Sequence, residues 1–259
     1  MREKKGKAYL LGAGPGDPDL LTIKAASILR TADVVLYDRL VTAEILALAN
    51  PSAEFLYAGK HEGEQEAVQE WICTQMAERA RQGKTVARLK GGDPYVFGRG
   101  GEERLFLEQQ GIDVEVVPGV SSVIAAPAAA GIPLTLRGIS RSFAVITGHR
   151  CGEGELDWEQ FSKVDTLVIL MGVTNRADIA RGLIAAGRPP DEPAAFIERA
   201  TTPSQQVTRT TLVQIAAGSV EITAPAVLVV GAVAALGASG REQGVSEHGS
   251  AGIGNNDYR

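Results

Sequence analysis

The sequence has little of several things that would declare a function at once. Its 259 residues include two cysteines and three histidines. Cys73 and Cys151 lie far apart with no metal-type spacing, and His61 and His149 lack the paired ligands of a metal site. No disulfide is required, which fits a reducing cytosol, and both cysteines read as inert packing. Aromatic residues make up 5% of the chain, so the core must be built mostly from Ala, Val, Leu and Ile. No apolar run approaches the ~20 residues of a membrane span. Behind the basic stretch Met1–Lys7, the apolar run stops at Gly12 and is too short for a signal core. The formal net charge of −5 argues against a general nucleic-acid binder, although a local basic cleft is compatible with it.

What is present is an ordinary globular composition, 44% hydrophobic and 22% charged. The first half alternates short apolar runs with amphipathic stretches. Strands are expected at Ala8–Leu11, Val34–Tyr37, Glu54–Tyr57, Thr85–Leu89 and Val114–Val117. Helices are expected between them at Asp19–Arg30, Ala43–Ala49, Glu64–Arg81 and Glu102–Gln110. In the third helix Val68, Ile72, Met76 and Ala80 recur every four residues, which is one helical face. This alternation predicts a parallel sheet covered on both faces. After Pro118 an Ala-rich helix at Val120–Gly131 leads into strands at Phe143–Thr147, Thr166–Met171, Ala194–Ile197, Gln206–Thr210 and Ala226–Val230. Helices are expected at Asn175–Ala186 and Leu212–Ala217. Ala194–Ile197 and Gln206–Thr210 have no long helix between them, which predicts antiparallel pairing and a mixed second sheet. The expected division is an α/β domain over 1–119, a second over 120–235, and a disordered Gly- and Ser-rich tail over 236–259.

The chemistry concentrates in loops after the first five strands. Gly12-Ala13-Gly14-Pro15-Gly16-Asp17-Pro18 follows the first. Glycines without side chains let backbone approach a ligand, Asp17 suits an N-cap, and Pro18 suits the first helical position. The spacing misses the dinucleotide fingerprint, whose third glycine would stand at Asp17. A dehydrogenase is still the obvious rival, because Asp38 ends the second strand where that fold places its ribose-binding acid. Asp38 could equally cap the next helix, and Lys60 could be a solvated loop charge. The loop Gly91-Gly92-Asp93-Pro94-Tyr95-Val96-Phe97-Gly98-Arg99 has no Gly-Lys-Ser/Thr of a P-loop, and its three large residues call for something to pack on. Arg137, Arg141 and Arg150 near His149 could bind an anion or form a solvated basic surface. In a parallel sheet, loops at the carboxyl ends of strands share one edge, so a single site is expected there.

Several of these stretches together resemble a known family. Gly12 to Thr22, Val35-Leu36-Tyr37-Asp38-Arg39-Leu40-Val41, Gly91 to Gly100, Val117-Pro118-Gly119-Val120-Ser121-Ser122, Ala130 to Thr135 and Thr147-Gly148-His149 resemble, in order, the motifs of the tetrapyrrole methylases, which use S-adenosylmethionine (SAM). The likeness spans Lys7 to Ala234 and is greatest to the branch that acts on uroporphyrinogen III. It implies two α/β domains with the site between them, a cytoplasmic homodimer, no membrane or nucleic-acid partner, and no metal. It implies transfer of two methyl groups to C2 and C7 of uroporphyrinogen III, giving precorrin-2 for sirohaem or cobalamin, with S-adenosylhomocysteine left behind. Some relatives carry a dehydrogenase–ferrochelatase module ahead of the methylase; with only Met1–Gly6 before the first strand, none is expected here.

Carried over residue by residue, the resemblance assigns SAM contacts to Pro15, Gly91, Gly92, Asp93, Val96, Ser121, Ser122, Met171 and Ala200. Ser121-Ser122 departs from the family's commoner Thr-Ala pair. Asp38 matches the proton acceptor and Lys60 the proton donor. The substrate's eight carboxylates call for a basic lining, for which Arg39, Arg99, Arg137, Arg141, His149 and Arg150 are the candidates. The alternatives are a methylase acting on another carbon of the cobalamin route, a nucleotide-dependent oxidoreductase, and a SAM-binding sensor without catalysis.

Overall fold

The computed structural model describes residues 6–59, 65–149 and 157–237. Lys60, His61, Arg150, Cys151 and residues 238–259 of the expected tail lie outside the described residues. Five strands form the first sheet: β1 (Lys7–Gly12), β2 (Val34–Tyr37), β3 (Glu54–Tyr57), β4 (Thr85–Lys90) and β5 (Asp113–Val117). Their order is β3-β2-β4-β1-β5 and every pairing is parallel. Helices α1 (Ile23–Leu29) and α2 (Ala43–Leu46) cover one face, and α3 (Gln65–Arg81) and α4 (Gly100–Gln109) the other. Ile72, Met76 and Ala80 of α3 are buried and Val68 packs beside them, so the four-residue period does mark the core face.

Helix α5 (Ser122–Ala129) leads to the second sheet. Its strands are β6 (Phe143–Thr147), β7 (Thr166–Leu170), β8 (Pro193–Glu198), β9 (Gln206–Thr211) and β10 (Ala226–Val230), with α6 (Arg176–Ala185) and α7 (Leu212–Ala216) between them. The order is β6-β7-β10-β8-β9. Only β6–β7 is parallel; β8–β9 is antiparallel, as the missing helix between them predicts. One face packs on α6 and α7, the other on α5. Phe196 is the one fully buried aromatic side chain among the described residues, and Leu, Ile, Val and Ala fill the rest. No described helix is long and apolar enough to cross a membrane.

Two expectations need correction. The single helix expected over Asp19–Arg30 is broken. Asp17 accepts from the Asp19 amide and caps only a one-turn 3-10 helix at Pro18–Leu20. Leu21 then turns extended, and Thr22 Oγ1 accepts from Ala25 N at 3.2 Å to start α1 afresh. The second correction concerns topology. A dinucleotide-binding sheet runs 3-2-1-4-5, with β1 beside β2. Here β4 is inserted between them, so the end of β2 lies two strand spacings, about 10 Å, from the end of β1. The loop after β2 still reaches the first glycine loop, where Thr42 Oγ1 donates to Gly16 O at 3.1 Å, but it does so past β4 rather than from a neighbouring strand.

Candidate active site

At the carboxyl edge of the first sheet, three loops are fused by backbone. Ala13 N donates to Lys90 O at 2.8 Å, and Gly14 and Gly92 exchange amide–carbonyl bonds of 3.2 and 2.7 Å. A Cβ on Gly12 would stand 2.3 Å from Gly119 N, and one on Gly119 would stand 2.3 Å from Gly92 O. So the missing side chain of Gly12 makes room for the chain's own backbone rather than for a ligand. Asp93 completes the join: Oδ2 accepts from Gly119 N at 3.1 Å and Oδ1 from Tyr95 N at 2.8 Å. Gly92 differs from its neighbours. Its φ is +69°, and a Cβ there would meet nothing nearer than Ser122 N at 3.7 Å, so space opens in front of it.

The second sheet reaches this floor through the loop after β8. Asp17 N donates to Thr201 Oγ1 at 3.2 Å, and the Gly16 Cα faces Thr202, whose Cγ2 would lie 2.9 Å from a Cβ. Strands β6, β7 and β8 end on the same edge as one another, so His149, Met171 and Ala200 follow strands that point the same way. Five non-glycine residues have positive φ among the described residues: Phe97, Arg99, Met171, Arg199 and Thr201. All lie in loops at these carboxyl ends. Such conformations cost of order 1–3 kcal/mol each and persist where the surroundings impose them, as at ligand clamps.

Pro15, Gly91, Gly92, Asp93, Ser121 and Ser122 are half-buried along the floor. Ser121 caps α5 by accepting from Val123 N at 3.3 Å. Gly91 faces Leu40, whose Cβ would lie 2.7 Å from a Cβ added there. Val96 packs with α5 and the second sheet, but Tyr95 and Phe97 are 50% and 44% exposed, so the expectation that all three large residues find packing is met by one. Among the basic candidates, Arg39, Arg137, Arg141 and His149 are exposed. Arg99 is drawn into ion pairs with Glu102 and Glu66, which hold its guanidinium charged well above the ordinary range. Arg141 precedes β6, and its amide donates to Asp165, which precedes β7. It thus stands at the opposite end of the strands from His149, about 16 Å away for five residues of strand. The turn Leu136–Ser140 that carries Arg137 is anchored at the same far end by Ser140 Oγ and Thr166 Oγ1, 2.9 Å apart. One copy of the chain does not bring these two arginines together with His149.

Asp38 does not cap α2, whose N-cap is Thr42. Its Oδ1 accepts from Leu40 N at 3.0 Å, and its Oδ2 lies 3.5 Å from Arg88 Nη2. Arg88 belongs to a buried group that sequence reading missed. Arg88, Lys90 and Glu103 are 3%, 4% and 0% exposed. Lys90 Nζ and Gln69 Nε2 donate to Glu103 Oε1 at 2.9 and 3.0 Å, and Arg88 Nε reaches it at 3.5 Å. Burial pushes the Lys90 amine down, Arg88 adds to that, and Glu103 opposes it. The signal was present in outline: Val86, Arg88 and Lys90 alternate on one face of a strand that turns out to be central.

These features define a two-sheet α/β protein whose glycine-bearing loops are joined backbone to backbone at the carboxyl ends of its strands. No cluster of three or more His, Cys, Asp or Glu suited to a metal occurs among the described residues. A sequence profile of the tetrapyrrole (corrin/porphyrin) methylases matches residues 7–216, and the chain belongs to that family. It is 46% identical over 233 residues to the uroporphyrinogen-III C-methyltransferase of Methanocaldococcus jannaschii, which covers 88% of this chain and 96% of that one. It is 45% identical over 240 residues to siroheme synthase 2 of Halorhodospira halophila, covering 91% of this chain; the chain spans about half of that relative, 48%. A crystal structure of uroporphyrin-III C-methyl transferase from Thermus thermophilus with S-adenyl homocysteine is similar with a TM-score of 0.78 and 50% identity, over 88% of this chain and 98% of that one.

Proposed function

We propose that the chain methylates uroporphyrinogen III at C2 and C7, using SAM, to give precorrin-2 for sirohaem or cobalamin synthesis. The observation that carries this reading is the near-complete overlap with the Thermus enzyme that holds S-adenyl homocysteine, together with a cradle suited to such a ligand. The residues fit the cofactor: Gly92 opens space at positive φ, Val96 and Ala200 offer apolar contact, and the strained loops at Met171 and Thr201 face the same edge. When bound, SAM supplies an electrophilic methyl group on a sulfonium that leaves as neutral S-adenosylhomocysteine.

The protein's own task is to align and to take a proton. Pro15, Gly91, Gly92, Asp93, Val96, Ser121, Ser122, Met171 and Ala200 hold the donor, and a pyrrole carbon is brought in line with it. Asp38, fixed by Leu40 N and Arg88, accepts the proton that the alkylated ring releases. Lys60 is assigned to proton donation by resemblance alone. Arg39 and His149, exposed on this edge, offer charge and hydrogen bonds to substrate carboxylates; Arg99, Arg137 and Arg141 belong to the proposal only as surfaces that a second copy or a rearranged ion pair would bring in.

The reading includes a division of the chain near residue 119, a homodimer and a cytoplasmic location, which the family resemblance supports. Light scattering on the purified chain tests the dimer. The decisive assay incubates the protein, SAM and uroporphyrinogen III anaerobically and counts methyl groups on the product by mass spectrometry. Two per macrocycle at C2 and C7 is the expected outcome. One methyl at another carbon, or turnover with NADH in place of SAM, overturns the reading.

A further inference from the structure

Arg88 and Lys90 place two cations on a face of β4 that otherwise packs Val86 with Leu10 and Leu36 under α3 and α4. The interior supplies one anion for them, Glu103. Its Oε1 takes every contact from Lys90, Gln69 and Arg88, while Oε2 is fully buried without a hydrogen-bond partner. The buried group therefore holds one positive charge more than it balances. An unmatched interior charge is costly, so a second anion is demanded nearby. Asp38 meets that demand from the rim, 3.5 Å from Arg88 Nη2. The remaining arm of the guanidinium, Nη1, donates to Leu89 O at 3.0 Å. A planar group held at three separate acceptors has little freedom to turn.

We propose that Arg88 is a positioning residue for Asp38: bridged to Glu103 and to the backbone of β4, it fixes the direction of the Asp38 carboxylate and balances its charge. This rests on the reading of Asp38 as the proton acceptor. Lys90 and Glu103 act one step further back. Their pairing leaves Arg88 as the cation whose partner is at the surface rather than in the core.

A double-mutant cycle tests the idea, with Asp38→Asn, Arg88→Met and the double variant compared with the unaltered protein. Arg88→Met leaves Lys90 and Glu103 as a matched pair, so interior charge balance is kept. The expected result is a fall of about tenfold or more in single-turnover methyl transfer for Arg88→Met, with SAM affinity and the KM for uroporphyrinogen III within about threefold. On the Asp38→Asn background the same change should cost nothing further, since the two residues act as a unit. Arg88→Lys, which retains the charge but not the three-way reach, runs the same cycle if Arg88→Met does not fold. A role confined to stability predicts equal losses on both backgrounds, and that outcome overturns the proposal. So does normal turnover in a folded Arg88 variant. A silent Asp38→Asn is a different failure: it removes Asp38 from the chemistry, and Arg88 with it.

Discussion

The amide of Asp17 donates to the hydroxyl of Thr201 across 184 positions of sequence, at 3.2 Å. This bond ties the loop after β1 to the loop after β8 and so joins the two sheets at the cradle. Thr201 holds φ at +65° to make it. Thr201→Val keeps the shape and removes the acceptor. It should lower stability by about 1 kcal/mol, the net worth of one hydrogen bond, and weaken SAM binding severalfold. Denaturant titration and calorimetry measure the two effects; unchanged SAM affinity would show that the joint does not shape the cradle.

Gly12 and Gly92 should answer differently to the same substitution. In Gly12→Ala the new methyl meets the Gly119 backbone at 2.3 Å, and backbone on three fused loops has no slack. A loss of about 3 kcal/mol is expected, the upper range for overpacking. In Gly92→Ala the methyl has room but φ is +69°, costing about 1–2 kcal/mol. That variant should fold and yet bind SAM poorly, and the bulkier Gly92→Val should bind it worse still. Thermal melting with and without SAM separates the cases: a Gly92→Ala protein stabilised normally by SAM would remove that loop from the cofactor site.

Glu103→Gln should be among the most damaging polar substitutions in the chain. It leaves Lys90 a buried cation without its anion and Arg88 with Asp38 alone, and breaking a buried pair typically costs about 3–5 kcal/mol. Removing Lys90 as well, in Lys90→Met/Glu103→Leu, leaves Arg88 with Asp38 and should recover most of that loss. A shift in urea midpoint at constant slope is the readout. A double variant as unstable as the single would mean that packing, not charge balance, governs the site.

At low pH the outer edge of the first sheet should loosen first. Lys24 and Lys7 together hold the Glu115 carboxylate at about 2, against an ordinary value of 4.5. The folded value is the lower one, so this pairing contributes stability above about pH 4.5 and loses it as pH falls toward 2. Both lysines are partly exposed, so the contribution is about 0.5 kcal/mol and shrinks with salt. Glu115→Gln should flatten the acid limb of a stability-against-pH curve by that amount, and should do nothing at neutral pH in high salt.

What the sequence made legible was whatever depends on local pattern. The strands of the first sheet follow from short apolar runs, because the central strands of a parallel sheet covered on both faces have little choice but to be apolar. The antiparallel β8–β9 pair follows from the shortness of its connection. The break after Leu20 was hidden because Thr22 reads as an ordinary helical residue until its hydroxyl is seen to cap α1. Strand order was not legible at all: nothing local says that β4 comes between β2 and β1. From that one unknown follows the failure to see Arg88 and Lys90 as interior. Charges on a strand look like an edge until the strand proves to be in the middle.

The same strand order sets a timetable for synthesis. β1 pairs with β4 and β5, and with neither β2 nor β3. Its first residue partners Thr85 on one side and Asp113 on the other. At ribosomal rates of about 5–20 residues per second, β1 waits roughly 4–16 seconds for its earlier neighbour, with both hydrogen-bonding edges and apolar faces open. β2 and β3 can dock on each other in the meantime, but they remain half a sheet until β4 arrives to bridge the halves. The strand that carries the first cradle loop is thus made first yet stays unpaired until the fourth strand is made, and a nascent chain stalled before residue 85 is a natural client for a chaperone.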